Sequence, residues 1–323
     1  MMPPPGAADF LAANGWGGAV IVPLAGDASF RRYFRVIDGV RQAVLMDAPP
    51  PHEDPAPFVN VARWLGERGF AAPVIHGMDL AQGLVLLEDF GDVRMRETLD
   101  TEGARETALY ESAIDVLVAL HRHAAGSFPP YDRTFMQEEA DLIVDWYCPA
   151  VGIAPDVAAY HAAWNEVFGH ALSDTPVTVL RDYHAENLML IGGGDRLGLL
   201  DFQDARAGHP AYDLVSLLQD ARRDVPPAIE AAMLARYTQA TGAGAAFDAA
   251  YHVLGAQRNA KIVGIFTRLW KRDGKARYPA LCPRVWGYLE RDLAHPALAP
   301  VKAWFDATIP AEKRGDPMAV GAA

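Results

Sequence analysis

The spacing of apolar and polar positions changes character near residue 90. Before it, AVIVPL (Ala19 to Leu24), FRRYFRV (Phe30 to Val36), QAVLMD (Gln42 to Asp47) and GLVLLED (Gly83 to Asp89) are short runs rich in β-branched and aromatic residues. Such runs predict strands, and Asp38-Gly39 between the second and third is a hairpin turn signal. Phe58, Val61, Ala62 and Leu65 recur with helical spacing between Pro57 and Arg68, and Gly69 follows as a stop. The first ninety residues are therefore expected to form a small antiparallel sheet carrying one helix.

Beyond that point the segments 104–123, 134–147, 155–172, 210–222, 226–241 and 247–270 are rich in Ala and Leu and predict helices. One β-rich island interrupts them. Val177 to Asp182, Asn187 to Ile191 and Leu197 to Phe202 read as short strands, the last two joined by Gly192-Gly193-Gly194. The expected fold class is α+β, with a sheet lobe over residues 1–90 and a mainly helical lobe over 91–323. The linker is expected near Asp89 to Asp92, with the ligand held in the cleft between lobes.

Charge narrows the partners. The chain has 41 acidic and 29 basic residues, a net charge of −12, which disfavours broad contact with nucleic acid or anionic lipid. A phosphate site must therefore come from a local basic cluster. No apolar run reaches the ~20 residues that span a bilayer, and MMPPPGAADF has no basic region followed by an apolar stretch, so no secretory signal is expected. Cys148 and Cys282 are far apart, which argues against a disulfide framework and fits a reducing cytoplasm. A monomer is the expectation, and the tail from about Lys313 onward reads as frayed.

The candidate chemistry sits in LRDYHAENLMLIGGGDRLGLLDFQD. Asp182 and Asn187 are five apart, and Asp201 follows at the end of the next strand. Phosphoryl transfer needs a carboxylate to orient and deprotonate the attacking hydroxyl, and hard oxygen ligands for Mg²⁺ on the nucleotide phosphates. The catalytic loop of protein kinases supplies an Asp, an Asn five positions on, and a metal-binding Asp on the adjoining hairpin. Asp204 is a candidate for the acceptor pocket or a local cap, and His184 for substrate contact or polar filler. The loop Gly26, Asp27, Ala28, Ser29, Phe30, Arg31 and Arg32 has small residues that admit phosphate oxygens to backbone N–H groups, and cations to pair them. Arg258, Lys261 and Arg268 punctuate the apolar stripe of GAQRNAKIVGIFTRL, either as a solvated basic face or as cations at the lip of an acceptor pocket. His121 and His123 read as capping residues at a helix C-terminus.

Taken together, GDASFRRYFRV, VLMDAPPPHED, RDYHAENLM, LLDFQDARAGHPAYDLVSLLQD and GAQRNAKIVGIFTRLWKRDGKARY resemble the aminoglycoside phosphotransferase and choline kinase superfamily over nearly the whole chain. Within it, MDAPPP, DFQDA and the KIVGIFTRL helix are most similar to the bacterial cell-wall sugar kinases. The resemblance implies a protein-kinase-like two-lobed fold and ATP-dependent, Mg²⁺-dependent phosphorylation of the anomeric hydroxyl of N-acetylmuramate or N-acetylglucosamine, in cytoplasmic recycling of peptidoglycan sugars. It implies Asp182 as base, Asn187 and Asp201 as metal ligands, and Leu87, Glu88, Asp89 and Phe90 as the hinge against adenine. Asp204, His184, Arg258 and Lys261 are then substrate-side candidates. Where the third strand of a kinase carries a phosphate-binding Lys, this chain has Met46, so Arg31 or Arg32 is expected to supply that charge, with Glu53 nearest to a helix Glu partner. Kinases for an aminoglycoside, choline or homoserine are the alternatives, although a polycationic acceptor is a poor match to a basic helix. A nucleotide-binding pseudokinase is disfavoured because Asp182, Asn187 and Asp201 are all present.

Overall fold

The computed structural model describes residues 1–24, 31–194 and 196–321. They form two compact units, Met1–Glu106 with Ala185–Ala205, and Thr107–His184 with Arg206–Ala323.

The first unit is built on a five-stranded antiparallel sheet in the order β1-β2-β3-β5-β4. Its strands are β1 (Val20–Pro23), β2 (Arg32–Asp38), β3 (Arg41–Asp47), β4 (Ile75–Asp79) and β5 (Leu84–Glu88). Asp38 pairs with Arg41 across the two-residue turn that the sequence signals, and Gly39 takes the positive φ of 59° that such a turn demands. Phe34, Val36, Ala43, Leu45, Leu84 and Leu86 share one buried face, packed with Phe10, Leu11 and Trp16. The latter three come from or follow a helix, Ala7–Ala13, that the sequence reading did not include. With Ala56–Gly66 and β4, it replaces the expected one-helix sheet by two helices before residue 70 and a fifth strand. The unbroken burial of Leu84 to Leu87 follows, because a central strand covered on both faces needs no polar alternation.

The hairpin Leu188–Ile191 with Arg196–Leu199 belongs to this unit and is shorter than the expected strands at its open end, where Asn187 and the residues after Leu199 lie outside it. It is tied to the preceding chain by Leu199 N donating to Ala71 O and Leu190 N donating to Val93 O, both at 2.8 Å. Gly198 makes this docking possible: a Cβ there would lie 2.7 Å from the Phe90 ring.

The second unit is helical. Its longest element is the 27-residue helix Ala245–Lys271, which packs against Arg133–Ala140, Ala211–Leu218 and Cys282–Leu293; Glu106–Leu120, Val157–Val167, Pro227–Thr241 and Ala299–Thr308 are its other main helices. Gly264 lets the long helix approach the Leu142 backbone, where a Cβ would sit 2.3 Å from the Leu142 carbonyl carbon. A wider turn at Ile143–Tyr147 divides the helix expected over 134–147. A short strand Val177–Val179 pairs antiparallel with Arg206–Gly208 and leads directly into Leu180 and Arg181. The expected frayed tail is docked instead. Tyr147 Oη donates to Lys313 O at 2.7 Å and accepts from Gly315 N at 2.9 Å, so the chain is held well past residue 313. No helix among the described residues is long and apolar enough to cross a membrane.

Candidate active site

In the helical unit, Arg181 and Asp182 follow the strand Val177–Val179 on a strained turn. Arg181 has a φ of 71°, and among the described residues the one other non-glycine at positive φ is Asp201, at 59°. Such a conformation costs ~1–2 kcal/mol for an L-residue and persists only where surrounding bonds hold it. Asp213, in the first turn of the helix Ala211–Leu218, supplies that hold by accepting from Leu180 N at 2.7 Å and Arg181 N at 2.8 Å. Burial pushes the Asp213 carboxyl up to about 7, with these two donors pulling against it.

A buried charge network lies beside the turn. Glu139 accepts from Tyr131 Oη at 2.6 Å, and its other oxygen is shared by Arg181 Nη2 and by Lys261 Nζ at 2.6 Å. Burial pushes the Glu139 carboxyl up, but Lys261 and Arg181 outweigh it and hold the group at about 2. One helical turn from Lys261, Arg258 donates to Ser216 Oγ at 2.9 Å, and its Nη2 lies 4.0 Å from Asp182 Oδ1. Its side chain is 6% exposed, which excludes the solvated basic face. The buried Arg258 Nη1 has no hydrogen-bond partner among the described residues. Asp182 is 38% exposed, so an incoming hydroxyl has access to it. Burial raises its pKa, yet Lys261 and Arg258 together bring it below the ordinary carboxylate value. It is therefore ionised at neutral pH, as a proton acceptor must be.

His184 is a core residue with 4% exposure, its Nε2 3.4 Å from Arg222 Nη1, and burial depresses its pKa to about 4. His121 is not a charged helix cap: its Nδ1 pairs with Tyr237 Oη at 2.8 Å, and burial depresses its pKa to about 3. His209 is similarly held at about 4. These folded values lie below the unfolded value of 6.5, so the stability they provide is complete above pH ~6.5 and is lost as pH falls towards 4 and 3. Each is expected to weaken the fold by about 1.4 kcal/mol per pH unit in that window. Urea midpoints at about pH 7 and about pH 5 check this, with His121→Gln expected to lessen the fall.

In the sheet unit, Asn187 and Asp201 face each other at the ends of the hairpin strands, Asn187 Nδ2 lying 3.4 Å from Asp201 Oδ2. Leu200 N donates to Asn187 O at 3.0 Å, and Gln203 Nε2 donates to Asp201 Oδ1 at 2.8 Å. A carboxylate beside an amide, both hard oxygen donors once the amide is turned, suits Mg²⁺, which uses one or two protein oxygens and takes the remainder from phosphate and water. Asp204 is exposed on the turn closed by Ala205 N donating to Phe202 O.

Gly26, Asp27, Ala28, Ser29 and Phe30 lie outside the described residues. Arg31 Nε donates to Glu53 Oε2 at 3.2 Å, whereas Arg32 Nε donates to Asp47 Oδ2 at 2.7 Å across the β2–β3 register. Burial raises the Tyr33 pKa; Arg31 lowers it and hydrogen-bonds the phenol, while the Asp201 charge raises it. The same phenol thus senses Arg31, Glu53 and Asp201. Met46 is fully buried. At the expected hinge, Leu87 is core, Glu88 N donates to Val74 O, and the Asp89 carboxylate is taken by Arg35 Nε at 2.6 Å. Phe90 covers Gly198. Glu139, Asp213, Tyr131 and Ser216 were not singled out from the sequence. The one legible hint was Asp213 in PAYDL, an acid within an otherwise apolar helix.

The chain belongs to the phosphotransferase enzyme family, whose sequence profile matches residues 20–251. Among solved structures, the choline/ethanolamine kinase family protein from Mesorhizobium loti matches with a TM-score of 0.64 at 17% identity, over 92% of this chain and 96% of that one. The streptomycin–ATP–APH(2")-IIa ternary complex matches with a TM-score of 0.59 at 14% identity, over 92% and 98%. Both likenesses concern the fold. Among curated relatives, a protein of Caulobacter vibrioides named N-acetylmuramate/N-acetylglucosamine kinase is 40% identical over 95% of this chain and 97% of its own length.

Proposed function

We propose that this phosphotransferase moves the γ-phosphoryl group of ATP to the anomeric hydroxyl of N-acetylmuramate or N-acetylglucosamine, in recycling of peptidoglycan sugars. The observation that carries the chemistry is an accessible, ionised Asp182 held on a strained turn by Asp213 and flanked by the Arg258 guanidinium. The choice of acceptor rests on the names of the curated relatives at 35–40% identity.

In this reading Asp182 orients the C1 hydroxyl and takes its proton. An anomeric hydroxyl is more acidic than other sugar hydroxyls, so one positioned carboxylate is sufficient. Asn187 and Asp201 are the residues to hold Mg²⁺, which when bound neutralises charge on the transferring phosphates. Arg31, paired with Glu53 and hydrogen-bonded to the phenol that senses Asp201, is better suited than Arg32 to the part of the missing lysine, because Arg32 is committed to Asp47. Arg31→Ala is expected to raise the KM for ATP at least tenfold, loss of one charge-assisted phosphate contact. Arg32→Ala serves as the comparison.

Arg258 is proposed to bind the acceptor in preference to Lys261. Lys261 Nζ is spent on Glu139, whereas Arg258, whose Nη2 lies 4.0 Å from Asp182 Oδ1, keeps its buried Nη1 unused. The lactyl carboxylate of N-acetylmuramate gives that donor a partner. Arg258→Gln is accordingly expected to raise the KM for N-acetylmuramate more than that for N-acetylglucosamine. Phosphorus NMR of the protein with MgATP and each sugar tests the whole reading. An anomeric phosphate signal supports it, and a phosphomonoester on another hydroxyl overturns the anomeric assignment. No phosphorylation of either sugar overturns the choice of acceptor.

A further inference from the structure

The helical unit contains a cavity of about 430 Å³, within the size range of small-molecule sites, that the proposed chemistry does not use. Its wall includes the end of the helix Glu106–Leu120 at Val118, His121 and Arg122, and both Tyr237 and Phe247, whose rings stack at 5.3 Å. The chain as a whole is strongly acidic, with 41 acidic against 29 basic residues. This cavity has the opposite character: His121, Arg122 and His209 line it, with hydroxyls from Ser173, Thr175 and Thr241, and no carboxylate is among its lining residues.

Apart from the Thr241 hydroxyl, which donates to Tyr237 O at 2.8 Å, the donors are also unspent. Arg122 is exposed and makes no ion pair among the described residues. Tyr237 Oη occupies His121 Nδ1, and the buried His121 Nε2 has no hydrogen-bond partner among the described residues. Ala211 N donates to His209 Nδ1 at 3.1 Å, which fixes the ring proton of neutral His209 on Nε2, as a donor. A guanidinium, an imidazole N–H and the hydroxyls of Ser173 and Thr175, with no competing acid, are matched by oxyanion acceptors, and the Tyr237–Phe247 stack offers an apolar wall for the rest of a ligand.

We propose that this cavity is a second ligand site, separate from the Asp182 turn, for an oxyanion-bearing metabolite of sugar-phosphate size. Arg122 meets the oxyanion at the open side, and His121 and His209 meet it from within. The cavity borders elements that end at the catalytic turn. Val177 begins the strand that runs into Leu180, and His209-Pro210 precedes the helix whose Asp213 holds Leu180 and Arg181.

Calorimetric titration with glucose 6-phosphate tests the site, with glucose and inorganic phosphate as controls. The expected result is binding of glucose 6-phosphate, with Kd raised about tenfold or more by Arg122→Glu. Ala240→Trp, on the exposed part of the cavity wall, is expected to abolish binding by filling the space. Both variants are expected to keep the wild-type rate of sugar phosphorylation without added ligand. Three results would overturn the proposal: no binding of either phosphate compound, binding unchanged in both variants, or glucose bound as tightly as its phosphate.

Discussion

Asp182→Asn is expected to lower kcat for sugar phosphorylation by about 10²- to 10⁴-fold, the usual contribution of a positioned general base. The substitution keeps the shape and removes the proton acceptor. The Arg258 and Lys261 charges that now depress the Asp182 pKa lose an opposing carboxylate, and no new acid is buried. Folding should therefore be little affected, which circular dichroism and the urea midpoint check. The pH profile gives a second test. Because the wild-type carboxyl lies below the ordinary carboxylate range, its protonation takes no part in any fall of activity between about pH 8 and pH 5. If Asp182→Asn retained near-wild-type turnover, the assignment of the base would be wrong.

Glu139→Ala is expected to cost about 3–5 kcal/mol of stability, because it leaves Arg181 and Lys261 buried without their shared counter-charge. The sign with pH is fixed by the depressed pKa. Glu139 contributes stability that is complete above its unfolded value of 4.5 and is lost as pH falls towards about 2. The difference between wild type and variant in urea unfolding should thus be largest near neutral pH and shrink below pH ~4.5. Glu139→Gln keeps the Tyr131 and Lys261 contacts in shape while removing charge, and separates packing from electrostatics. A role confined to stability leaves kcat of the folded Gln variant unchanged. A positioning role moves kcat, because Arg181 adjoins Asp182 in the chain and its side chain is anchored on Glu139.

Local pattern alone decided much of this protein. The short apolar, strand-forming runs of β2, β3 and β5, the turn at Asp38-Gly39 and the helical spacing around Phe58 and Leu65 all depend on neighbours a few residues apart, and the Asp182, Asn187, Asp201 series is legible as an ordered motif. Burial and turn geometry act at that range, so they leave a readable trace. The helix Ala7–Ala13 was not legible because it is short and its burial comes from packing against distant strands, and β4 because it is short and none of its residues is buried, so it carries no apolar run.

Tertiary structure alone decided what the basic helix does. Spacing makes Arg258 and Lys261 neighbours on one helical face, but it cannot tell water from a carboxylate brought in from elsewhere in the chain. Folding assigns Lys261 to Glu139, leaves Arg258 a spare buried donor, and makes Asp213 the clamp on the Arg181 turn. The physical reason is that a charge is defined by its partner, and these partners lie 32 or more residues apart in the chain.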